Sequence, residues 1–361
     1  MARAGDAIVS RPSFGWPILL VTTEVGFHIA RPMRCLASLL TALLLFALAG
    51  DAAGAPVALE KLERVAIEGQ TYVRVRDWAA AAGLAFAWVQ PRHSVRLTNS
   101  KLTLQLTHDS KLLAANGINL WLSYPAKVRD DRCYVSLVDL KTTLAPLATP
   151  VRNRSRMALV AIDPGHGGRD RGFYSGSRFE KTYTLLLAQE LKTQLARAGI
   201  KATLVRSTDE YVDLTERADR AASRKANLLV SLHYNAAGSG NAEAQGAETF
   251  VMTPVGARST NAQGGGGNTG PSPGNLYNDP SLMLGYLIQR SLVRNLALSD
   301  RGVRRARWEV LREAKIPAVL VEGGFMSHAR ESQRIYDPVF RRKQAKAIAD
   351  AIVSYKMIMD P

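Results

Sequence analysis

Cysteine is nearly absent, with two in 361 residues, Cys35 and Cys133. So few thiols exclude a disulfide-stapled scaffold and leave the fold to be held by an apolar core. Aromatic residues are scarce at 7%, and no apolar run approaches the roughly 20 residues that a membrane-spanning helix needs. The 47 Lys and Arg exceed the 31 Asp and Glu, giving a net charge of +16. No block of five or six basic residues concentrates that excess, so a nucleic-acid-binding arm is not expected, although an acidic partner is. Gly165, Gly167 and Gly168 lack both the order of a phosphate-binding loop and the spacing of a dinucleotide turn.

What is present begins with an export signal. Arg31 and Arg34 precede the apolar run Leu36–Ala49, and small residues continue to Ala55. This order predicts a secretory signal peptide within residues 1–55, starting at Met33 rather than Met1. Removing it also removes Cys35 and leaves no stable membrane anchor. The protein is therefore expected to be exported, to the periplasm or cell envelope, and to act as a monomer.

Residues 56–150 predict a small β-rich α+β domain with an internal repeat. Tyr72–Trp78 (YVRVRDW) is echoed by Tyr134–Leu140 (YVSLVDL), an alternating strand running into Asp77 or Asp139 as a helix N-cap. Strands are also expected over Ser94–Leu97 and Leu102–Leu106, turned at Asn99 and Ser100. The pattern resembles the small duplicated domain at the N-terminus of some copper amine oxidases, but no copper ligand set is present. A spacer and a wall-binding module are its two readings. Thr149–Arg156 reads as a linker.

From residue 157 to 358 strand and helix patterns alternate. Strands are expected at 158–162, 202–205, 228–232, 247–252 and 318–321, and helices at 183–197, 214–226, 282–298 and 339–358. Such a βα rhythm predicts an open, mostly parallel sheet with helices on both faces, and ligands then bind at the carboxyl ends of the strands. Three strand ends carry chemistry: Asp163-Pro-Gly-His166-Gly-Gly168, His233-Tyr-Asn235 and Glu322-Gly-Gly-Phe325. Two histidines fall short of a catalytic zinc site, which takes three protein ligands. Glu180 can supply the third, or it can close a capping box with Ser177. Asp163 and Asp170 are rival carboxylates, with Asp163 expected to orient an imidazole or brace the loop. Glu322 is the carboxylate expected to converge with the two imidazoles, unless it pairs with an arginine from Arg304–Arg312. His93, His108 and His328 are expected at the surface. Thr253–Pro280, rich in glycine and proline, is expected to form a flap beside the cleft without an amphipathic plug.

Taken together, Ile162-Asp-Pro-Gly-His166-Gly-Gly, Phe179-Glu180-Lys, Arg206-Ser-Thr-Asp209, Leu214-Thr-Glu216-Arg217, Leu229-Val-Ser-Leu-His233-Tyr-Asn235-Ala, Gly246-Ala-Glu248 and Val321-Glu322-Gly-Gly-Phe325 resemble the zinc-dependent N-acetylmuramoyl-L-alanine amidases of the type 3 family. The resemblance implies His166, Glu180 and His233 as zinc ligands and Glu322 as the catalytic glutamate. It further implies hydrolysis of the amide between N-acetylmuramic acid and L-alanine in peptidoglycan, in wall remodelling or cell separation. A zinc peptidase of wall peptides and a non-catalytic peptidoglycan-binding protein are the alternatives.

Overall fold

The structure is a computed structural model describing residues 61–153, 156–238, 241, 243–260 and 269–361. The signal region therefore lies outside the described residues. Among them, no helix is long and apolar enough to cross a membrane.

The β-rich region supplies nine strands: β1 (Arg64–Ile67), β2 (Gln70–Arg74), β3 (Ala85–Gln90), β4 (Ser94–Thr98), β5 (Thr103–Thr107), β6 (Leu112–Ala115), β7 (Ile118–Trp121), β8 (Lys127–Arg129) and β9 (Arg132–Ser136). The repeat seen in sequence is also a spatial pair, because β2 and β9 run antiparallel with Tyr72 opposite Ser136 and Arg74 opposite Tyr134. The expected Asp caps are not formed. Asp77 lies in the first turn of the Val75–Ala81 helix, whose N-cap is Arg74. Ser136 takes the capping role in the second copy, accepting from Asp139 N. Asp139 is buried because it accepts the backbone N–H groups of Ser123 and Tyr124, at 2.7 and 3.0 Å.

The remaining strands are β10 (Leu159–Pro164), β11 (Tyr174–Ser175), β12 (Arg178–Phe179), β13 (Lys201–Leu204), β14 (Leu228–Asn235), β15 (Ala247–Met252), β16 (Asp300–Ala306) and β17 (Ala318–Phe325). One 11-stranded sheet carries the order β13-β10-β14-β17-β15-β16-β7-β6-β5-β4-β3. Strands β13, β10, β14 and β17 are mutually parallel, and β15 enters antiparallel to β17. The parallel pairing of β16 with β7 joins the α/β half to the β-rich half.

Alternation along the strands sends side chains to two cores. Val160 and Ile162 enter the larger core with the Glu180–Arg197, Asn278–Leu296 and Pro338–Met359 helices, whereas Ala161 enters a smaller one with the Leu214–Ser223 and Glu309–Arg312 helices. From β13 to β16 the expected mostly parallel sheet with helices on both faces is thus the observed one, but from β7 to β3 every pairing is antiparallel, so the 11-stranded sheet as a whole is mixed. Strand β16 and the Ala329–Tyr336 helix had no counterpart in the sequence reading, since β16 carries four charged residues in seven and lacks an apolar run.

The segment after β15 departs from its expected place. Because β15 is antiparallel to β17, it ends beside the start of β17, away from Glu322. The segment begins there, and its described parts pack rather than float. Thr253 and Ala257 are buried, Thr260 N donates to Arg305 O, and Pro273–Tyr277 forms a 3-10 turn with Gly274 against Leu311. These described parts back the Glu309–Arg312 helix rather than cover the strand ends, and residues 261–268 of the expected flap lie outside the described residues.

Candidate functional site

The loop after β10 is bent by backbone that few side chains tolerate. His166 has φ +61°, and Gly167 and Gly168 follow at +129° and +57°. A non-glycine residue held there is strained, which the surroundings must over-determine. Two buried arginines do so. Arg206 donates to the carbonyls of Pro164, Gly165, Lys181 and Thr208, and Arg217 to those of Pro164, His166 and Val212. Arg217 also pairs with Asp163 at 2.8 Å, whose other oxygen accepts from Ser231 Oγ at 2.7 Å. Asp163 therefore braces the loop and touches no imidazole. That place belongs to Asp170, whose carboxylate lies 2.8 Å from His166 Nδ1. The sequence quoted Arg206 and Arg217 only as motif positions; their burial was the missing signal.

His166, Glu180 and His233 converge, with potential ligand atoms all within 4.8 Å of one another. His166 Nε2 and His233 Nδ1 stand 3.0 and 3.1 Å from the same Glu180 oxygen. Glu180 opens its helix without a capping box: the N-cap is Phe179, with no side-chain hydrogen bond. Its carboxylate instead accepts Phe173 N at 2.9 Å and Tyr234 N at 3.1 Å. Burial works against ionising Glu180, but the hydrogen bonds and charge of His166 and His233 hold its pKa well below the usual carboxylate range. For His166, burial is outweighed by Glu180 and Asp170, which raise its pKa.

Glu322 sits directly beside His233 in the register of β14 and β17. Just beyond it the register slips, with β17 advancing three residues against two on β14. Such a bulge re-aims side chains at a sheet end. Glu322 is buried and its Oε2 has no hydrogen-bond partner. Burial first, then the charges of Glu180 and Glu248, push its pKa well above the ordinary value. Among the described residues no arginine pairs with it; Arg301 and Arg304 turn to Glu248 instead. A cleft of about 450 Å³ joins these groups, lined also by Leu214, Trp308, Val310 and Phe173. His328, expected at the surface, is buried and caps the Ala329–Tyr336 helix by accepting from Glu331 N. His108 accepts Val128 N, and neither it nor His93 approaches the cleft.

A His–Glu–His donor set beside an unpartnered buried carboxyl fits a catalytic zinc site in kind, because borderline-soft zinc takes imidazole and carboxylate ligands and keeps one position open.

The profile of the N-acetylmuramoyl-L-alanine amidases matches residues 160–354, and that of the copper amine oxidase N-terminal domain matches residues 53–145. The N-acetylmuramoyl-L-alanine amidase LytC of Bacillus subtilis is 32% identical over 257 residues, covering 70% of this chain and 47% of LytC. The chain thus spans about half the length of that relative. The uncharacterized protein YqiI of B. subtilis is 31% identical over 224 residues, 61% of this chain and 95% of YqiI. An N-acetylmuramoyl-L-alanine amidase structure from Clostridium difficile 630 shares 33% identity, with a TM-score of 0.47, over 56% of this chain and 97% of its own. With more than half of its length matched by that profile, the chain belongs to the N-acetylmuramoyl-L-alanine amidase family.

Proposed function

We propose that the protein is an exported, zinc-dependent N-acetylmuramoyl-L-alanine amidase that cleaves the amide joining N-acetylmuramic acid to L-alanine in peptidoglycan, for wall remodelling or cell separation. The observation that carries this reading is the meeting of His166, Glu180 and His233 beside the unpartnered Glu322, at the carboxyl ends of parallel strands. In this reading residues 157–358 form the catalytic domain, and residues 56–150 form a spacer or wall-binding domain.

His166, Glu180 and His233 would hold the zinc ion. Bound there, zinc polarises the scissile carbonyl and acidifies the attacking water. Asp170 fixes the His166 ring through Nδ1, leaving Nε2 directed at the site. Glu322 takes the proton of the attacking water and returns it to the nitrogen that leaves with L-alanine. Its burial keeps competing solvent away from that transfer.

Mass spectrometry of digested peptidoglycan tests the bond cleaved. New L-alanine amino termini and intact lactyl groups are expected; cleavage only between amino acids would replace the amidase reading with a peptidase. Glu322→Gln should retain zinc yet lose about 10²-fold or more in turnover, as removal of a general base does. His166→Ala and His233→Ala should lose the metal itself, read by elemental analysis.

A further inference from the structure

Beside the cleft, at the seam between the two halves of the sheet, two arginines are held with unused donors. Glu248 faces Glu322 across the β15–β17 ladder. Its carboxylate accepts from Asn235, which lines the cleft, and lies 2.7 Å from Arg304 Nε. Arg301 Nε is 3.4 Å from the same oxygen, buried and without hydrogen-bond geometry to any partner. Arg304 Nε also approaches Arg301 O, at 3.3 Å. Among the described residues, no acceptor meets the terminal amino groups of either guanidinium. Two cations share one anion here, leaving a local excess of positive charge.

Both guanidiniums are pinned by aromatic rings. Arg301 stacks on Phe325 at 4.8 Å and Arg304 on Trp121 at 4.6 Å. Trp121 belongs to β7, in the β-rich half, and its Nε1 donates to Arg301 O at 2.9 Å. Guanidiniums held on an aromatic face beside Glu248, with amino groups free, are preorganised to bind a carboxylate through paired hydrogen bonds. They do not act as bracing, since bracing arginines in this protein, Arg206 and Arg217, spend their amino groups on backbone carbonyls.

We propose that Arg304 and Arg301, held by Trp121, form a subsite for a free carboxylate on the second residue of the peptidoglycan stem peptide. This rests on the amidase reading above. Strand spacing of about 4.8 Å places β16 roughly 10 Å from Glu322 on β17, across one intervening strand. A stem peptide advancing at about 3.5 Å per residue reaches from the scissile amide to its second residue, plus a side group, over a similar span. The subsite reads charge, so it distinguishes a stem with a free acid from one in which that acid is amidated.

The test uses the full chain carrying Glu322→Gln, so that ligand survives, and calorimetric titration with two soluble muropeptides differing only in carboxylate against carboxamide at the second stem residue. The carboxylate form should bind about 10-fold more tightly, the scale of a charge-assisted hydrogen bond. Adding Arg304→Gln should abolish that preference while leaving the amidated ligand's affinity unchanged, and Arg304→Lys or Trp121→Ala should reduce it. Equal affinities in the parent, absent binding of both, or an equal loss for both ligands on Arg304→Gln would overturn the proposal. Hydrolysis by the unsubstituted protein separates the two readings. Cleavage of the lactyl–alanine amide without stem preference sinks the subsite alone, whereas a binding preference without that cleavage keeps the subsite and sinks the amidase.

Discussion

At the residue scale, Gly165 has no room for a side chain. A Cβ built on it would stand inside the His233 imidazole, and a rigid ring held in a ligand set cannot retreat cheaply. Gly165→Ala should therefore lower zinc content as His233→Ala does, while far-ultraviolet circular dichroism stays near the parent's. Normal zinc loading in that variant would mean that the ring has an alternative seat. The one described cysteine behaves differently. Cys133 is buried in β9, and desolvation pushes its thiol up to about 12. A thiolate is the reactive form, and at pH 8 almost none exists in the native protein. Iodoacetamide should leave the native protein unlabelled and label it promptly in urea; prompt native labelling would show that β9 opens readily.

At the element scale, the last helix holds two active-site strands in register through one side chain. Gln344 Nε2 donates to Gly323 O at 2.6 Å, and Gln344 Oε1 accepts from Tyr234 Oη at 2.8 Å. Gly323 follows Glu322 and Tyr234 follows His233. Gln344→Leu would leave a buried hydroxyl and a buried carbonyl unsatisfied, costing about 1–3 kcal/mol each. Urea unfolding should report a lower midpoint with an unchanged slope, and turnover should fall as well. An unchanged midpoint would show that water replaces the amide.

The same scale shows what could be read from the chain and why. Strands β10, β14 and β17 were legible because each is a continuous apolar run ending in a polar motif, and those endings located His166, His233 and Glu322. Glu180 was ambiguous because spacing cannot tell a side chain that caps its own helix from one that crosses to another strand. Strand β16 escaped notice: Val303 is set among Arg301, Arg304 and the buried Arg305, a pattern that looks like loop until a neighbouring strand is known. Thr253–Pro280 misled for a topological reason. Its composition suggested an irregular stretch, whereas Pro273–Tyr277 forms a 3-10 turn that runs into the Asn278–Leu296 helix, and only the antiparallel entry of β15 reveals at which end of the sheet the segment starts.

At the scale of the whole molecule, the β-rich half is built into the catalytic sheet. Arg305 is fully buried at the seam and donates to Met252 O, Thr142 O and Thr143 Oγ1. Desolvation lowers its pKa to about 10, against the attraction of Asp139 and Asp279. Arg305→Ala would take the donor from these buried acceptors, at about 1–3 kcal/mol for each group left unsatisfied, so it should lower the melting temperature measurably in calorimetry. A chain shortened to begin at Arg156 removes β7 from β16 and strips the Asn278–Leu296 helix of its neighbours in β7 and residues 140–148. Its melting temperature should fall further than that of Arg305→Ala, and a thermal midpoint equal to the full chain's would show that the two halves stand alone.

The β7–β16 pairing also bears on how such a protein can be recombined. Residues 149–156 invite a crossover, where one relative's front half meets another's back half. The bonds that matter lie elsewhere, from Asn119 N to Asp300 Oδ2 and from Trp121 Nε1 to Arg301 O. A chimera that exchanges everything before residue 150 swaps one side of these bonds and strands the other. Exchanges that carry 118–121 together with 300–306 keep the ladder intact, so shuffled libraries should yield soluble members along that partition rather than along the chain's apparent hinge.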